Sequence, residues 1–189
     1  MKFYLSDLHL AHAKIIQSCA RPFSDVRAMD AALIRAWHDR MGRQDEVFVV
    51  GDLIFGGRKT DPLPYLEALK GPSIHLILGN HDFWIKRVPK PERFFASVSP
   101  ALRVTDGGRD LLLCHDPAQG LPLLEPHETL IYGHLHGNTD RPYEGELRRL
   151  GALNCGADIT GFRPATLEEL IAYNRSFRAA HPAASEQEV

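Results

Sequence analysis

Short apolar runs of strand length recur along the chain, and each is followed by a polar or glycine-bearing turn. Such runs, bounded by turn residues, are typical of buried β-strands. Five of them predict strands, at residues 3–6, 47–50, 74–78, 111–114 and 130–132. Because Asp, Asn or His follows each run within two residues, the predicted strands deliver polar side chains at their carboxyl ends.

Between these runs, apolar residues spaced three and four apart predict helices. A helix is predicted over residues 26–41 with Ser24 as its N-cap. Its apolar face consists of Met29, Leu33, Ile34 and Trp37. A shorter helix is predicted over residues 62–70, and a final one follows Thr166 as N-cap and extends to residue 177.

Strands that alternate with helices indicate an α/β layered domain, in which ligands bind outside the carboxyl ends of the strands. The second half of the chain is richer in strand signals, with a hairpin over residues 104–114 and a further β element predicted at 147–153. We therefore expect a second sheet packed on the first. One domain is predicted over residues 1–180, followed by a disordered tail at 181–189.

Composition narrows the classes of protein. A chain of 189 residues with 44% hydrophobic and 24% charged residues is neither collagen, coiled coil nor wholly disordered. The formal net charge of -2 argues against bulk coating of nucleic acid, although a local basic groove stays open. Cys19, Cys114 and Cys155 lie far apart, which argues against a disulfide framework or a thiolate zinc site. Without an apolar run long enough for a signal core or a membrane span, the predicted localisation is cytoplasmic.

The polar residues at the predicted strand ends are all potential metal ligands. They are Asp7, His9, Asp52, Asn80, His81, Asp82, His115, His134 and His136. Each alone is ordinary turn chemistry. Core packing does not, however, place only Asp, Asn and His at five successive strand ends. Carboxylates, neutral imidazoles and amide oxygens hold the metal ions that activate water, so the pattern predicts a hydrolytic metal centre.

The order of these short strings resembles a known family. Asp-Leu-His, Gly-Asp, Gly-Asn-His-Asp, a single His and Gly-His-Leu-His follow one another within residues 3–153, as in the calcineurin-like metallophosphoesterase superfamily. The segments at residues 6–12, 21–23, 154–158 and 162–169 resemble a small bacterial branch of predicted phosphoesterases. The resemblance implies an α/β fold, a four-layer αββα sandwich of two mixed sheets flanked by helices.

The resemblance also implies a role for each residue. One ion would be held by Asp7, His9 and His136, the other by Asn80, His115 and His134, with Asp52 bridging both. A water or hydroxide that bridges two divalent ions would attack the phosphate ester. His81 would protonate the leaving oxygen or stabilise the transition state, and Asp82 would orient His81.

A ligand set without thiolate suits manganese first, with Fe, Zn, Ni or Co as alternatives. Two further residues are secondary candidates for contact with substrate phosphate. His12 follows His9 closely and opens a helical pattern, so its alternative role is a cap or a surface residue. Arg21 precedes Pro22, whose fixed turn could aim the guanidinium at phosphate, and its alternative is an exposed surface arginine.

The residue pattern bears on three functional hypotheses. The first is a dimetal phosphoesterase acting on a phosphodiester, a nucleotide or nucleic acid, because the family pattern leaves no room for a cap domain and an open site suits such substrates. A phosphomonoesterase with the same site is the alternative. A non-catalytic protein-binding scaffold is disfavoured because every ligand position of the family pattern is filled. A hydrolase of the metallo-β-lactamase type is disfavoured because its His-x-His-x-Asp-His string is absent. Neither a membrane nor a protein partner is indicated.

Overall fold

The chain folds into two four-stranded sheets in a computed structural model that describes residues 1–55, 57 and 60–182. The first sheet has the order β1-β2-β3-β4, formed by Lys2–Leu5, Glu46–Val50, Ser73–Ile77 and Ser97–Ser99. The second has the order β5-β6-β7-β8, formed by Ala101–Asp106, Arg109–Cys114, Thr129–Tyr132 and Leu153–Asn154. All five strands predicted from apolar runs are therefore confirmed.

Helices cover the outer faces and the ends of the sheets. In chain order, α1 to α7 are Ala13–Ser18, Val26–Arg40, Leu63–Ala68, Pro117–Gly120, Glu144–Arg149, Ala157–Thr160 and Leu167–Ala180. Short 3-10 helices occupy Asp82–Arg87, Pro91–Arg93 and Leu121–Leu123. Within the described ranges, every helix is too short or too polar to span a membrane.

Strand direction places the ligand-bearing segments together. The four strands of the first sheet are parallel, with Leu5 opposite Val49 and Val49 opposite Leu76. Among the described residues, an antiparallel bridge between Tyr4 and Ala165 at the β1 edge makes this sheet mixed. In the second sheet the β5–β6 hairpin is antiparallel, whereas β6, β7 and β8 are parallel. The carboxyl ends of the parallel strands of each sheet consequently meet at one edge.

The two sheets join at this edge. The Ser6 amide donates to the Cys155 carbonyl oxygen at 2.9 Å, and the Ser6 carbonyl oxygen accepts from the Ala157 amide at 2.9 Å. The end of β1 therefore pairs with the segment that follows β8. Residues from both sheets reach a single region of the surface as a result.

Alternating side chains show that each sheet is buried on both faces. On β2, Val47 and Val49 pack in the core beneath α1 to α3, whereas Phe48 packs in the core between the sheets. On β6, Leu111 joins the inter-sheet core and Leu112 packs in a third core with Leu147 of α5. Strand side chains alternate between faces, so these cores define helix, sheet, sheet and helix layers. The predicted four-layer sandwich is confirmed.

Three local predictions need correction or qualification. The N-cap of α2 is Asp25 rather than Ser24, because the Asp25 carboxylate accepts the Ala28 amide at 2.9 Å. Most of the β element predicted at 147–153 is not strand: α5 ends at Arg149, and β8 begins only at Leu153. Of the predicted tail at 181–189, residues 183–189 lie outside the described residues.

Thr166 starts α7 as predicted, through a reciprocal capping box. Its side chain accepts the Glu169 amide, and the Glu169 carboxylate accepts the Thr166 amide at 2.9 Å. We expect Thr166→Ala to lower the free energy of unfolding by about 1 kcal/mol, because one helix donor loses its partner. Urea denaturation of the full chain measures this change. Thr166→Ser keeps the hydroxyl and is the matched control; equal losses in both variants would contradict the capping role.

Candidate metal centre

The seven residues predicted as ligands lie together at the joined edge of the sheets. Ligand atoms of Asp7, His9 and His136 lie within 4.8 Å of one another, and so do those of Asp7, Asp52 and His115. The remaining two predicted ligands join through Asn80. Its Oδ1 lies 3.2 Å from His115 Nε2 and 3.0 Å from His134 Nδ1. Both predicted ligand sets are thus brought together, although five different strand ends supply them.

Asp52 lies between the two predicted sets. Its Oδ2 is 3.6 Å from Nε2 of His9, a member of the first set, and 3.4 Å from Nε2 of His115, a member of the second. Its other oxygen, Oδ1, accepts the His81 amide at 2.8 Å. Asp52 therefore lies within 3.6 Å of a member of each predicted set.

Backbone conformation sets this region apart. Five of the predicted ligands have a left-handed φ, which non-glycine residues rarely adopt: Asp7 at 57°, His9 at 50°, Asp52 at 55°, His134 at 69° and His136 at 52°. Each such residue costs on the order of 1 to 3 kcal/mol and persists only where the surrounding structure holds it. Strain that clusters on one set of side chains is a signature of a functional site.

Gly79 and Gly133, which precede the predicted ligands Asn80 and His134, lie too close to neighbouring carboxylates to carry a side chain. A Cβ on Gly79 would lie 2.3 Å from Asp52 Oδ1, and one on Gly133 would lie 2.6 Å from Asp7 Oδ2. Neither distance is possible for a real side chain. These glycines therefore let adjacent strand-end loops pack directly against the two carboxylates.

The two carboxylates are buried close to each other. Asp7 is 0% exposed and Asp52 is 2% exposed. Burial raises the pKa of Asp7, and nearby His115 and His136 offset this only in part. For Asp52 burial acts in the same direction, but a hydrogen bond and the charge of His115 outweigh it and lower its pKa to about 2. Burial thus disfavours the charged form of Asp7, whereas His115 stabilises the charged form of Asp52.

His115 is oriented by the main chain. Its Nδ1 lies 2.8 Å from the Val50 carbonyl oxygen, which can only accept, so Nδ1 carries a proton and Nε2 faces the centre. Burial lowers the pKa of His115, but Asp52 and Asp7 outweigh this and raise it to about 9. The two carboxylates therefore stabilise the positively charged form of His115, whose Nε2 faces them.

His9 gives an independent test of whether a cation fits. The residue is 2% exposed, and neither ring nitrogen has a hydrogen-bond partner. Its Nε2 lies 3.8 Å from Asp7 Oδ1. Burial lowers the pKa of His9 to about 3, so the imidazole is neutral and able to donate a lone pair. A buried nitrogen without a partner is costly, and a metal ion held with Asp7 would satisfy it.

Arg21 does not have either role predicted for it. It is buried, and its guanidinium donates to the main-chain oxygens of Asp7 and Leu8 at 2.7 and 3.0 Å. It also forms a two-point contact with Asp158, which accepts from His136 Nδ1 at 2.7 Å. Its donors are therefore engaged within the protein and are not directed at a substrate phosphate.

The sequence pattern does not single out Asp158, which contacts both Arg21 and His136. The available signal was its position at the end of the Asn-Cys-Gly-Ala-Asp segment, one of the segments that carried the resemblance to the bacterial branch.

Asp82 also differs from its predicted role. Its buried carboxylate accepts the amides of Asp52, Leu53 and Gly79 and the indole N–H of Trp84, at 2.8, 3.1, 2.9 and 3.0 Å. Both oxygens are therefore committed to the loops that follow β2 and β3. Asp82 positions Asp52 rather than orienting the His81 ring.

His81 and His12 lie at the mouth of the centre. His81 Nε2 is 4.0 Å from Asp52 Oδ2, and about a third of its side chain is exposed, at 34%. The His12 ring stacks on Phe55 with centroids 3.7 Å apart and planes at 4°. Burial and the neighbouring His81 lower the pKa of His12 to about 4, which leaves it neutral. Phe55, which the sequence pattern does not single out, has its ring centroid 5.3 Å from that of His81. The three rings form one aromatic surface beside the centre.

Comparisons with known proteins agree with this architecture. A 174-residue alignment with the uncharacterized protein MJ1445 of Methanocaldococcus jannaschii is 31% identical and covers 90% of this chain and 89% of that one. The Gene 66 protein of Mycobacterium phage D29 is 31% identical over 165 residues, covering 74% of this chain and 80% of its own.

A solved structure has the same fold. The crystal structure of AQ665, a protein of unknown function from Aquifex aeolicus, superposes with a TM-score of 0.72 at 20% identity, covering 89% of this chain and 96% of that chain.

The family comparison covers most of the chain. The model of the calcineurin-like phosphoesterase superfamily domain matches residues 1–160. This range contains every strand of both sheets and all seven predicted ligands. The chain therefore belongs to the calcineurin-like phosphoesterase superfamily, a family of metal-dependent phosphoesterases.

Proposed function

We propose that this protein hydrolyses a phosphodiester or a nucleotide at a centre of two divalent metal ions, with manganese as the preferred metal. The observation that carries the proposal is the position of the Asp52 carboxylate, within 3.6 Å of His9 Nε2 and 3.4 Å of His115 Nε2. One ion would be held by Asp7, His9, His136 and Asp52. The other would be held by Asn80, His115, His134 and Asp52.

Ions held in this way would activate water for attack at neutral pH and stabilise the charge on the phosphoryl oxygens. The protein residues fix where that chemistry occurs. Asp82 holds the amides of Asp52 and Gly79, so that the carboxylate of Asp52 keeps its orientation. The Val50 carbonyl oxygen accepts the Nδ1 proton of His115, which leaves Nε2 as the nitrogen that would bind the metal ion.

His81 is the proposed proton donor to the leaving oxygen. Its amide is fixed by Asp52 Oδ1 at 2.8 Å, while its ring stays partly exposed at the mouth of the centre. A group that exchanges protons with a leaving group must reach both the reacting atoms and solvent. His81 meets both conditions better than the buried imidazoles of His9 and His115.

The surroundings of the centre favour a substrate with two substituents on phosphorus. On one side, His12, Phe55 and His81 present flat rings suited to a nucleobase or another planar group. A polar cleft of about 530 Å³ adjoins the centre at His134 and His136 and contains Arg141. A phosphodiester or nucleotide can place one group against each surface, whereas a small monoester uses only one.

Loss of the central ligands should abolish activity. We expect Asp52→Asn and His134→Ala to reduce metal-dependent hydrolysis of a chromogenic diester by more than about 100-fold, since even outer-shell partners of a metal can cost that much. A chelator should inactivate the wild type, and added Mn²⁺ should restore it. The control is His127→Ala, because that side chain is 67% exposed. Turnover that survives in both ligand variants would refute the site assignment.

The role of His81 has a signature in the leaving group. Replacing His81 by Ala should lower kcat by about 10²- to 10⁴-fold for esters of alkyl alcohols, which need protonation as they leave. The loss should be much smaller for p-nitrophenyl esters, whose leaving group is stable as an anion. Steady-state kinetics on both ester types measure the difference. An equal loss on both would mean that His81 does not donate the proton.

Substrate class is tested by a panel. With Mn²⁺ and the other candidate metals, kcat/KM should be higher for diesters, nucleotides or single-stranded nucleic acid than for matched monoesters. Phe55→Ala should raise KM for nucleoside-bearing substrates more than for methyl esters, because only the former can stack on its ring. A strong preference for monoesters would contradict the proposed substrate class and favour a phosphomonoesterase.

A further inference from the structure

We propose that Arg21 and Asp158 form a clamp that preorganises one half of the metal centre, the half containing Asp7, His9 and His136. The inference rests on the proposed function in that it takes these residues to bind an ion. Neither member of the pair is expected to touch the ion or the substrate. Both are positioning residues that act through the ligands.

The arginine side of the clamp holds the first ligand segment by its main chain. Arg21 Nη2 donates to the Asp7 carbonyl oxygen at 2.7 Å, and Nη1 donates to the Leu8 carbonyl oxygen at 3.0 Å. Asp7 and His9 flank this contact, and both have the left-handed φ described above. A charge-assisted hydrogen bond to each carbonyl stabilises a backbone shape that is otherwise unfavourable.

The aspartate side holds the last ligand segment by its side chain. Asp158 Oδ1 and Oδ2 accept from Arg21 Nε and Nη2, each at 2.9 Å. Oδ2 also accepts the Nδ1 proton of His136 at 2.7 Å. Because Nδ1 is the donor, Nε2 of His136 is the nitrogen left for a metal. Such carboxylate–histidine pairs fix the tautomer and the ring direction of metal ligands.

Only an arginine can make all of these contacts. The planar guanidinium offers donors in several fixed directions, two toward the carboxylate and two toward the carbonyl oxygens, whereas an ammonium is a single point. The side chain is sealed from water: its charged end lies 5.5 Å from the Phe162 ring centroid, and Nη1 lies 3.7 Å from Met29 Sδ. A buried charge is tolerated only with this degree of pairing.

The clamp reaches one half of the centre more than the other. The side chains of the second set are oriented by different groups: His115 by the Val50 carbonyl oxygen, and His134 and Asn80 by each other. Among the described residues, one link to the clamped half is through the main chain, where the His134 amide donates to the Asp7 carboxylate at 3.0 Å. Loss of the clamp should therefore weaken the ion near His136 selectively. It should leave the ion near Asn80 close to its original affinity.

The test is a calorimetric titration of the full chain with Mn²⁺. The wild type should bind two ions, whereas Arg21→Lys and Asp158→Asn should each weaken one binding event by about 10- to 100-fold and leave the other within a few-fold. The matched control is Arg40→Lys. Arg40 also pairs with a carboxylate, that of Glu169, but lies away from the centre. A second readout needs no metal: the ¹⁵N shifts of the His136 ring should report one Nδ1–H tautomer in the wild type and a mixture in Asp158→Asn.

Two results would overturn the clamp: unchanged affinity for both ions in both variants, or equal weakening of both ions, which would mean that the pair serves overall folding. If Arg21→Lys fails to fold, Asp158→Asn alone decides, since it preserves shape. A wild type that binds two ions but hydrolyses no ester would refute the proposed function and leave the clamp intact. A wild type that binds no ion would refute both.

Discussion

The burial of two neighbouring carboxylates, Asp7 and Asp52, is the constraint on which the rest of the site depends. Two negative charges out of water are costly unless positive charge and hydrogen-bond donors surround them. The chain meets part of this need with His115, whose pKa these carboxylates raise and whose Nε2 lies 3.4 Å from Asp52 Oδ2. Much of the remaining negative charge is left for a cation, which is why a metal fits.

Parallel strands make this burial possible. Adjacent strands that run the same way end at the same edge, so the residues after β1 and β2 come side by side without a long connection. The cost appears in the backbone, where left-handed residues turn each chain sharply over the carboxylates. Gly79 and Gly133 make this close packing possible, because a side chain at either position would displace Asp52 or Asp7.

The features that could be predicted from the sequence are those whose signals lie close together along the chain. Apolar runs and the polar residues that follow them identify five of the eight described strands and the candidate ligands, because both signals lie within a few residues. The roles of Arg21 and Asp82 could not be predicted, since their partners come from elsewhere: Arg21 meets Asp158, 137 positions away. At residues 147–153, a short segment with leucines at 147, 150 and 153 spans the end of α5 and the start of β8, so periodicity alone could not separate helix from strand.

Two kinds of residue can be distinguished in this site. Those that support it have hydrogen-bonding atoms already paired within the protein, whereas those proposed to act in it have such atoms left unpaired or exposed. Arg21, Asp82 and Asp158 have their donors and acceptors engaged within the protein, so each can fix a neighbour but has little capacity left for a ligand. His9 is buried with both ring nitrogens unpartnered, and His81 keeps a partly exposed ring at the mouth. A buried unpaired nitrogen is costly, and at His9 a metal ion held with Asp7 would supply the partner. In the proposed mechanism, the ions would therefore lie inward of Arg21, Asp82 and Asp158, and substrate would enter past His81.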